Sequence, residues 1–185
     1  MMQASNSTDT LPRTLGEFLD WEPNDGFKYE WNDGEIVGFV GMKQNQIYIY
    51  VRLLDLFIDL GYKQKGALIA RQDVHLTGIQ VRRPDIAYFT REQIRQSARE
   101  AGVIPEFVIE IISNNDEINK LEQKLTEYFK AGVRVVWIVI PEHRIVQVYT
   151  SRRTVKICLE NDRCSAAPVL PDFEINVQEL FALPE

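Results

Sequence analysis

Phe107-Val108-Ile109-Glu110-Ile111-Ile112 sets one carboxylate inside a run of otherwise apolar, mostly β-branched residues. Such a run fits a strand buried on both faces. A charge there needs a partner or a metal, because an unpaired buried carboxylate is very costly. Upstream, Arg83-Pro84-Asp85-Ile86-Ala87 sets a second carboxylate at the start of another strand. It directly follows a proline, which cannot donate to a ladder and so favours strand starts and edges. On neighbouring strands Asp85 and Glu110 would stand about 4.5–5.5 Å apart, the spacing of facing residues. That distance suits bridging one cation. A magnesium-dependent phosphodiester hydrolase needs such a pair, with the substrate phosphate completing the metal's shell. The other reading makes Glu110 an exposed sheet-edge residue without a chemical role.

Outward from these strands, Leu11 to Leu19 fits a short helix with Thr14 as its cap. Phe27 to Trp31, the turn Asn32-Asp33-Gly34, and Glu35 to Val40 form a hairpin, because Asp-Gly between apolar-rich runs signals one. From Asn45 to Leu60 the apolar positions recur at helical spacing, and Gly61 ends that helix. Strands are expected at Ala67 to Ala70, Gln72 to Leu76, Asp85 to Phe89 and Glu106 to Ile112, with a short helix from Arg91 to Glu100. A second amphipathic helix runs from Asp116 to Ala131 and stops at Gly132. Val135 to Ile140, Arg144 to Thr150 and Thr154 to Leu159 follow as strands, and Val177 to Phe181 as a helical turn. The pattern is an α/β (α+β) chain, one mixed sheet flanked by helices.

The chain has 185 residues, 45% of them apolar and 10% aromatic, enough for one domain with its own core over residues 11–185. Residues 1–10 are polar and read as a disordered lead-in. No apolar run approaches the roughly 20 residues that cross a bilayer, and no signal pattern opens the chain; a soluble, cytoplasmic protein is expected. In that compartment Cys158 and Cys164 would be reduced thiols. Together with the scattered His75 and His143 they make no zinc site. The net charge of −6 argues against tight non-specific DNA binding. It leaves room for a nuclease whose acidic site is neutralised by metal. Carboxylates gathered for a metal would repel one another in its absence, raising at least one pKa, so that removing one would keep or raise stability.

Phosphodiester hydrolysis also needs a positive group near the attacking water or the scissile phosphate. No lysine stands two positions beyond Glu110, but Lys124 lies on the second long helix. With Ile118 at zero and about 100° per residue, the apolar stripe of Ile118, Leu121, Leu125, Tyr128 and Phe129 spans roughly 280° to 20° and Lys124 falls near about 240°. It flanks the buried face, where its stem can lie along apolar surface while the ammonium reaches the sheet end. By spacing alone an ordinary pair with Glu127 or Glu122 is the better reading.

Four segments in order carry a resemblance over about Leu15 to Leu180. They are Tyr29-Glu30-Trp31-Asn32-Asp33-Gly34-Glu35, the Pro84-Asp85 strand, Glu110 with Ser113 after it, and Lys124, Tyr128, Gly132-Val133 and Trp137. Together they resemble the putative restriction endonuclease family expanded in cyanobacteria (Uma-type), within the PD-(D/E)XK nuclease superfamily. The resemblance implies a restriction-endonuclease-like mixed-sheet core. It also implies a divalent-metal-dependent endonuclease acting on DNA, with Mg²⁺ or Mn²⁺ as cofactor. Asp85 and Glu110 would be the metal ligands, joined by the Ile111 carbonyl. Lys124 would be the superfamily lysine moved to the helix, orienting or helping to deprotonate water. Glu30 would be a further acidic ligand or water-positioning group. A homodimer would suit cutting both strands of a duplex.

The chain departs from that pattern at Ser113-Asn114-Asn115, at Lys120 where an aspartate is usual, at Arg134-Val135-Val136-Trp137, at Val139-Ile140-Pro141 and at Gln46. These supporting changes leave a second expectation open: a catalytically inactive nuclease fold serving as a binding or assembly module.

Overall fold

The computed structural model describes residues 11–25, 27–39, 46–99, 102–112 and 118–184. The expected lead-in at 1–10 lies outside them, as do the Ser113-Asn114-Asn115 departure and the expected start of the second long helix at Asp116.

The first helix, α1 (Leu15–Leu19), starts where the Thr14 side chain accepts a hydrogen bond from the Glu17 amide, the usual capping arrangement. The hairpin forms as read: β1 (Lys28–Asn32) pairs antiparallel with β2 (Glu35–Phe39), Asn32 facing Glu35. Asp33 and Gly34 both take positive φ, at 46° and 90°, as a tight hairpin turn that matches strand twist requires. The helix α2 (Ile47–Asp59) buries Ile49, Leu53 and Phe57. Strands β3 (Gly66–Ala70), β4 (Val74–Thr77), β5 (Gln80–Arg82) and β6 (Ile86–Thr90) follow. Next come α3 (Arg91–Ser97), β7 (Phe107–Ile111), α4 (Ile118–Ala131) and β8 (Val135–Ile140). The chain closes with β9 (Ile145–Ser151), β10 (Thr154–Cys158), β11 (Arg163–Ala166), β12 (Leu170–Asn176) and α5 (Val177–Leu180).

The strands divide among three sheets, not the one expected. A six-stranded mixed sheet has the order β10-β9-β8-β7-β6-β3, a four-stranded sheet β2-β1-β5-β4, and β11 pairs with β12. Only β7 and β8 are paired parallel in the large sheet, joined by α4 as a βαβ unit. The three strands missed from sequence are β5, β11 and β12. The first is three residues long, and Pro171 interrupts the last, so neither carries a readable alternation.

Period-two alternation along β7 decides where its charge goes. Phe107, Ile109 and Ile111 pack with Ile49, Leu53 and Phe57 of α2 in one core. Val108 belongs to the opposite core with Leu125 and Tyr128 of α4. Glu110 shares the Val108 parity, so it faces α4. In the β6–β7 ladder Ile86 faces Ile109; one further step sets Asp85, the residue just before β6, beside Glu110 on the same face. Asp85 thus precedes its strand by one residue, where the strand had been expected to begin with it.

Candidate active site

Every carboxylate and cation singled out from sequence is buried. Glu30 is 0% exposed, Glu110 3%, and Asp85 and Lys124 4% each. Such burial of charge persists only with partners, and the structure supplies them in one connected network.

Asp85 Oδ2 accepts the Ile111 amide at 2.8 Å, which ties the pre-strand residue to β7. Its other oxygen, Oδ1, lies 3.2 Å from the Lys28 Nζ, and the same ammonium stands 3.8 Å from Glu110 Oε2. Asp85 and Glu110 therefore already share one cation, contributed by the chain itself. On the far side, Glu110 Oε1 accepts the Tyr128 hydroxyl at 2.6 Å and lies 2.8 Å from Lys124 Nζ. Lys124 also reaches Glu30 Oε1 at 3.0 Å. Of the two readings of Lys124, the ordinary pair with Glu127 is displaced, because Arg82 takes that carboxylate with Nε at 2.7 Å and Nη2 at 2.5 Å. Arg82 Nη1 holds Glu30 Oε2 at 3.1 Å, and the Arg83 amide donates to Glu30 Oε1 at 3.0 Å.

Local structure explains each placement. Lys28 and Glu30 share one face of β1 by alternation. In the β1–β5 ladder Trp31 faces Val81, so the next step brings Glu30 opposite Arg82. Lys124, Glu127 and Tyr128 are neighbours on one face of α4 at helical spacing. Sequence reading missed Lys28, Arg82 and Glu127 as site residues, and placed Tyr128 in an apolar stripe and in a resemblance segment without giving it a role. The available signal was the shared parity of Lys28 and Glu30 in the hairpin. Arg82 had none, because its pairing is long-range.

Burial raises the Glu110 pKa, with repulsion from Asp85 and Glu30 adding to it and the Lys124 and Lys28 ammoniums opposing. Burial also pushes Glu30 up, but Lys124, Lys28, Arg82 and the Arg83 amide outweigh it and hold the carboxyl down at about 2. For Lys124, burial works against the charge, yet Glu110 and Glu30 raise the pKa above that of an ordinary lysine. The charge of Lys124 is thus favoured by Glu110 and Glu30, an arrangement suited to orienting a group and stabilising negative charge. Both oxygens of Glu30 are engaged, Oε1 by Lys124 and the Arg83 amide and Oε2 by Arg82. Removing Glu110 would take one partner from Lys124, which keeps Glu30, and the partner of the Tyr128 hydroxyl, costs that oppose relief of the repulsion that helps to raise its pKa.

Glu30 makes the acid response testable. Its pKa is lowered from 4.5, so its stabilisation is complete above that value and is lost as pH falls toward about 2. Glu110, raised, titrates above this window and with the opposite sign. Urea midpoints should therefore fall steeply across the window, and a flat acid limb there would contradict the buried pairing of Glu30.

The donor set fits a hard divalent cation: two carboxylates that already share a positive charge, with the Ile111 carbonyl beside them. In an extended strand a residue's N–H and C=O point to the same neighbour, and the Ile111 N–H points to Asp85. Among the described residues no three or more His, Cys, Asp or Glu side chains gather as a ligand set; Lys124 pairs with both Glu30 and Glu110. Cys158 and Cys164 are free and buried. No helix among the described residues is long and apolar enough to cross a membrane.

Comparison with known proteins bears on the family and the fold. A family model described as "Putative restriction endonuclease" (Uma2) matches residues 15–178. None of the curated proteins matches the chain. Among solved structures, a "putative nuclease belonging to DUF820 from Anabaena variabilis ATCC 29413" superposes with a TM-score of 0.72 at 21% identity, over 92% of this chain and 98% of that one. That likeness shows a shared fold. Matched from the start of α1 into α5, the chain belongs to the Uma2 putative restriction endonuclease family.

Proposed function

We propose that the protein is a divalent-metal-dependent endonuclease that hydrolyses DNA phosphodiester bonds, using Mg²⁺ or Mn²⁺ held by Asp85, Glu110 and the Ile111 carbonyl. The observation that carries the reading is the Lys124 ammonium, buried at 2.8 Å from Glu110 and 3.0 Å from Glu30, beside a carboxylate pair that shares a cation. A bound metal would supply Lewis-acid polarisation of the phosphate and a more acidic water. The chain's own part is positional. Tyr128 and Lys124 fix the Glu110 carboxylate, the Ile111 amide fixes Asp85, and Glu30 with Arg82 fixes Lys124. Held protonated, Lys124 Nζ donates to an oxygen of the scissile phosphate and stabilises charge growing there. It takes no proton from water. A two-fold dimer would set two such sites against the two strands.

One observation favours the idle-scaffold alternative: the carboxylate pair is neutralised in part by Lys28, so the network closes without an external ion. Calorimetric titration with Mg²⁺ and Mn²⁺ separates the two. The nuclease reading expects one saturable site in the wild type that is lost in Asp85→Ala. No binding, or equal binding by the variant, would leave the scaffold reading in place.

A further inference from the structure

We propose that Lys28 is the resident counter-cation of the metal position: its ammonium holds the place between Asp85 and Glu110 in the metal-free protein and is displaced from it when a divalent cation binds. The proposal rests on the metal-binding reading above and adds the residue against which the metal must compete.

Geometry comes first. Lys28 Nζ lies 3.2 Å from Asp85 Oδ1 and 3.8 Å from Glu110 Oε2, the two side chains that would ligate the metal. A Mg²⁺ ion bound to those carboxylates, with ligand distances of about 2.0–2.1 Å, would occupy the same small volume. Two cations cannot share it, since their repulsion in a buried site is severe. Binding is therefore an exchange.

The two lysines of the site are not equivalent. Lys124 is held by two carboxylates at 2.8 and 3.0 Å, and one of them, Glu30, is itself fixed by Arg82 and the Arg83 amide. Among the described residues Lys28 makes the longer ion pairs, at 3.2 and 3.8 Å, both to the prospective metal ligands. It also lies at the first residue of β1, next to the exposed Phe27. A flexible four-carbon stem there can swing its ammonium toward water without disturbing the ladder.

Charge balance points the same way. As formal charges among the described residues, the buried network sets Glu30, Asp85, Glu110 and Glu127 against Lys28, Arg82 and Lys124, one negative charge in excess. A divalent ion in place of the Lys28 ammonium would bring the network to neutrality. Adding the ion while keeping Lys28 would overshoot it. The exchange thus leaves the buried site better balanced than before, which is the condition for a low-dielectric cluster to accept it.

The test uses the full chain with Mn²⁺ and Mg²⁺ as probes. Lys28→Met removes the competitor while keeping the stem, and Lys28→Arg keeps the charge. If the lysine-bound state dominates the metal-free protein, apparent metal affinity is reduced by the fraction that is open. Lys28→Met should then bind Mn²⁺ about tenfold or more tightly than the wild type by calorimetry, and Lys28→Arg should not. Without metal, Lys28→Met should melt below the wild type, and saturating Mn²⁺ should raise its melting temperature by more than it raises the wild type's. The tightening should survive at about 1 M salt, where the screening length is about 3 Å, because the exchange is by contact. Should Lys28→Met fail to fold, Lys28→Gln is read by the same criteria. Wild-type binding with unchanged or weaker affinity in the folded variant, or tightening abolished by salt, overturns the exchange and leaves the metal site standing. No binding by either protein overturns the metal site, and the exchange with it.

Discussion

Arg82→Met should destabilise the protein by about 3–5 kcal/mol, the range for removing one partner of a buried ion network. Arg82 is 2% exposed and bridges two carboxylates, with Nη1 at 3.1 Å from Glu30 and Nη2 at 2.5 Å from Glu127. Neither carboxylate can turn to water without opening the contact between α4 and the β1–β5 ladder. Truncation therefore strands Glu127 and leaves Glu30 Oε2 unmatched while Lys124 and the Arg83 amide stay on Oε1, and the penalty is desolvation, not merely a lost attraction. Against a total stability of roughly 5–15 kcal/mol for a domain of this kind, the variant should unfold at markedly lower denaturant. Arg82→Lys should rescue little, because one ammonium cannot span both partners as the guanidinium fork does. Urea unfolding of the three proteins measures it. A loss below about 1 kcal/mol, the value of an exposed pair, would mean that the network is not closed in solution.

The second large effect falls on catalysis. Lys124→Ala should lower DNA cleavage by about 10²–10³-fold, the usual loss when one donor aimed at developing charge is removed. Metal affinity should hold or rise, since a cation 2.8 Å from a ligand carboxylate works against the ion. Stability should fall as well, because Glu30 and Glu110 would face each other without the ammonium between them. Activity is therefore compared at a temperature where circular dichroism shows the variant folded. Wild-type cleavage by that folded variant would remove Lys124 from the chemistry and leave it a structural counter-ion.

These two residues also mark the limit of what could be read from sequence. Glu110 was legible because one charge in an apolar strand breaks a local pattern, and parity alone sends it to the α4 face. Asp85 was legible from its proline. Helical spacing favoured an ordinary ion pair for Lys124, and only the family resemblance made it a site residue. Its choice of Glu110 over Glu127 depends on Arg82, which arrives from β5 through a ladder with β1. That pairing links residues far apart in the chain, and the three residues of β5 carry no period of their own. The same pairing draws the hairpin into a four-stranded sheet of its own, apart from the large one. Lys28 was passed over because a lysine at a strand start normally lies in solvent; only the fold buries it against Asp85. The chemistry of the site was legible where it perturbs local pattern, and hidden where it rests on tertiary neutralisation.

The most direct test is DNA cleavage by the purified protein with Mg²⁺ or Mn²⁺, with chelator, and with Glu110→Gln in place of the wild type. The expected result is cutting by the wild type only when a divalent cation is present, and none by Glu110→Gln under the same conditions. Equal cutting by Glu110→Gln, or a folded wild type that cuts no DNA with either metal, would contradict the nuclease assignment.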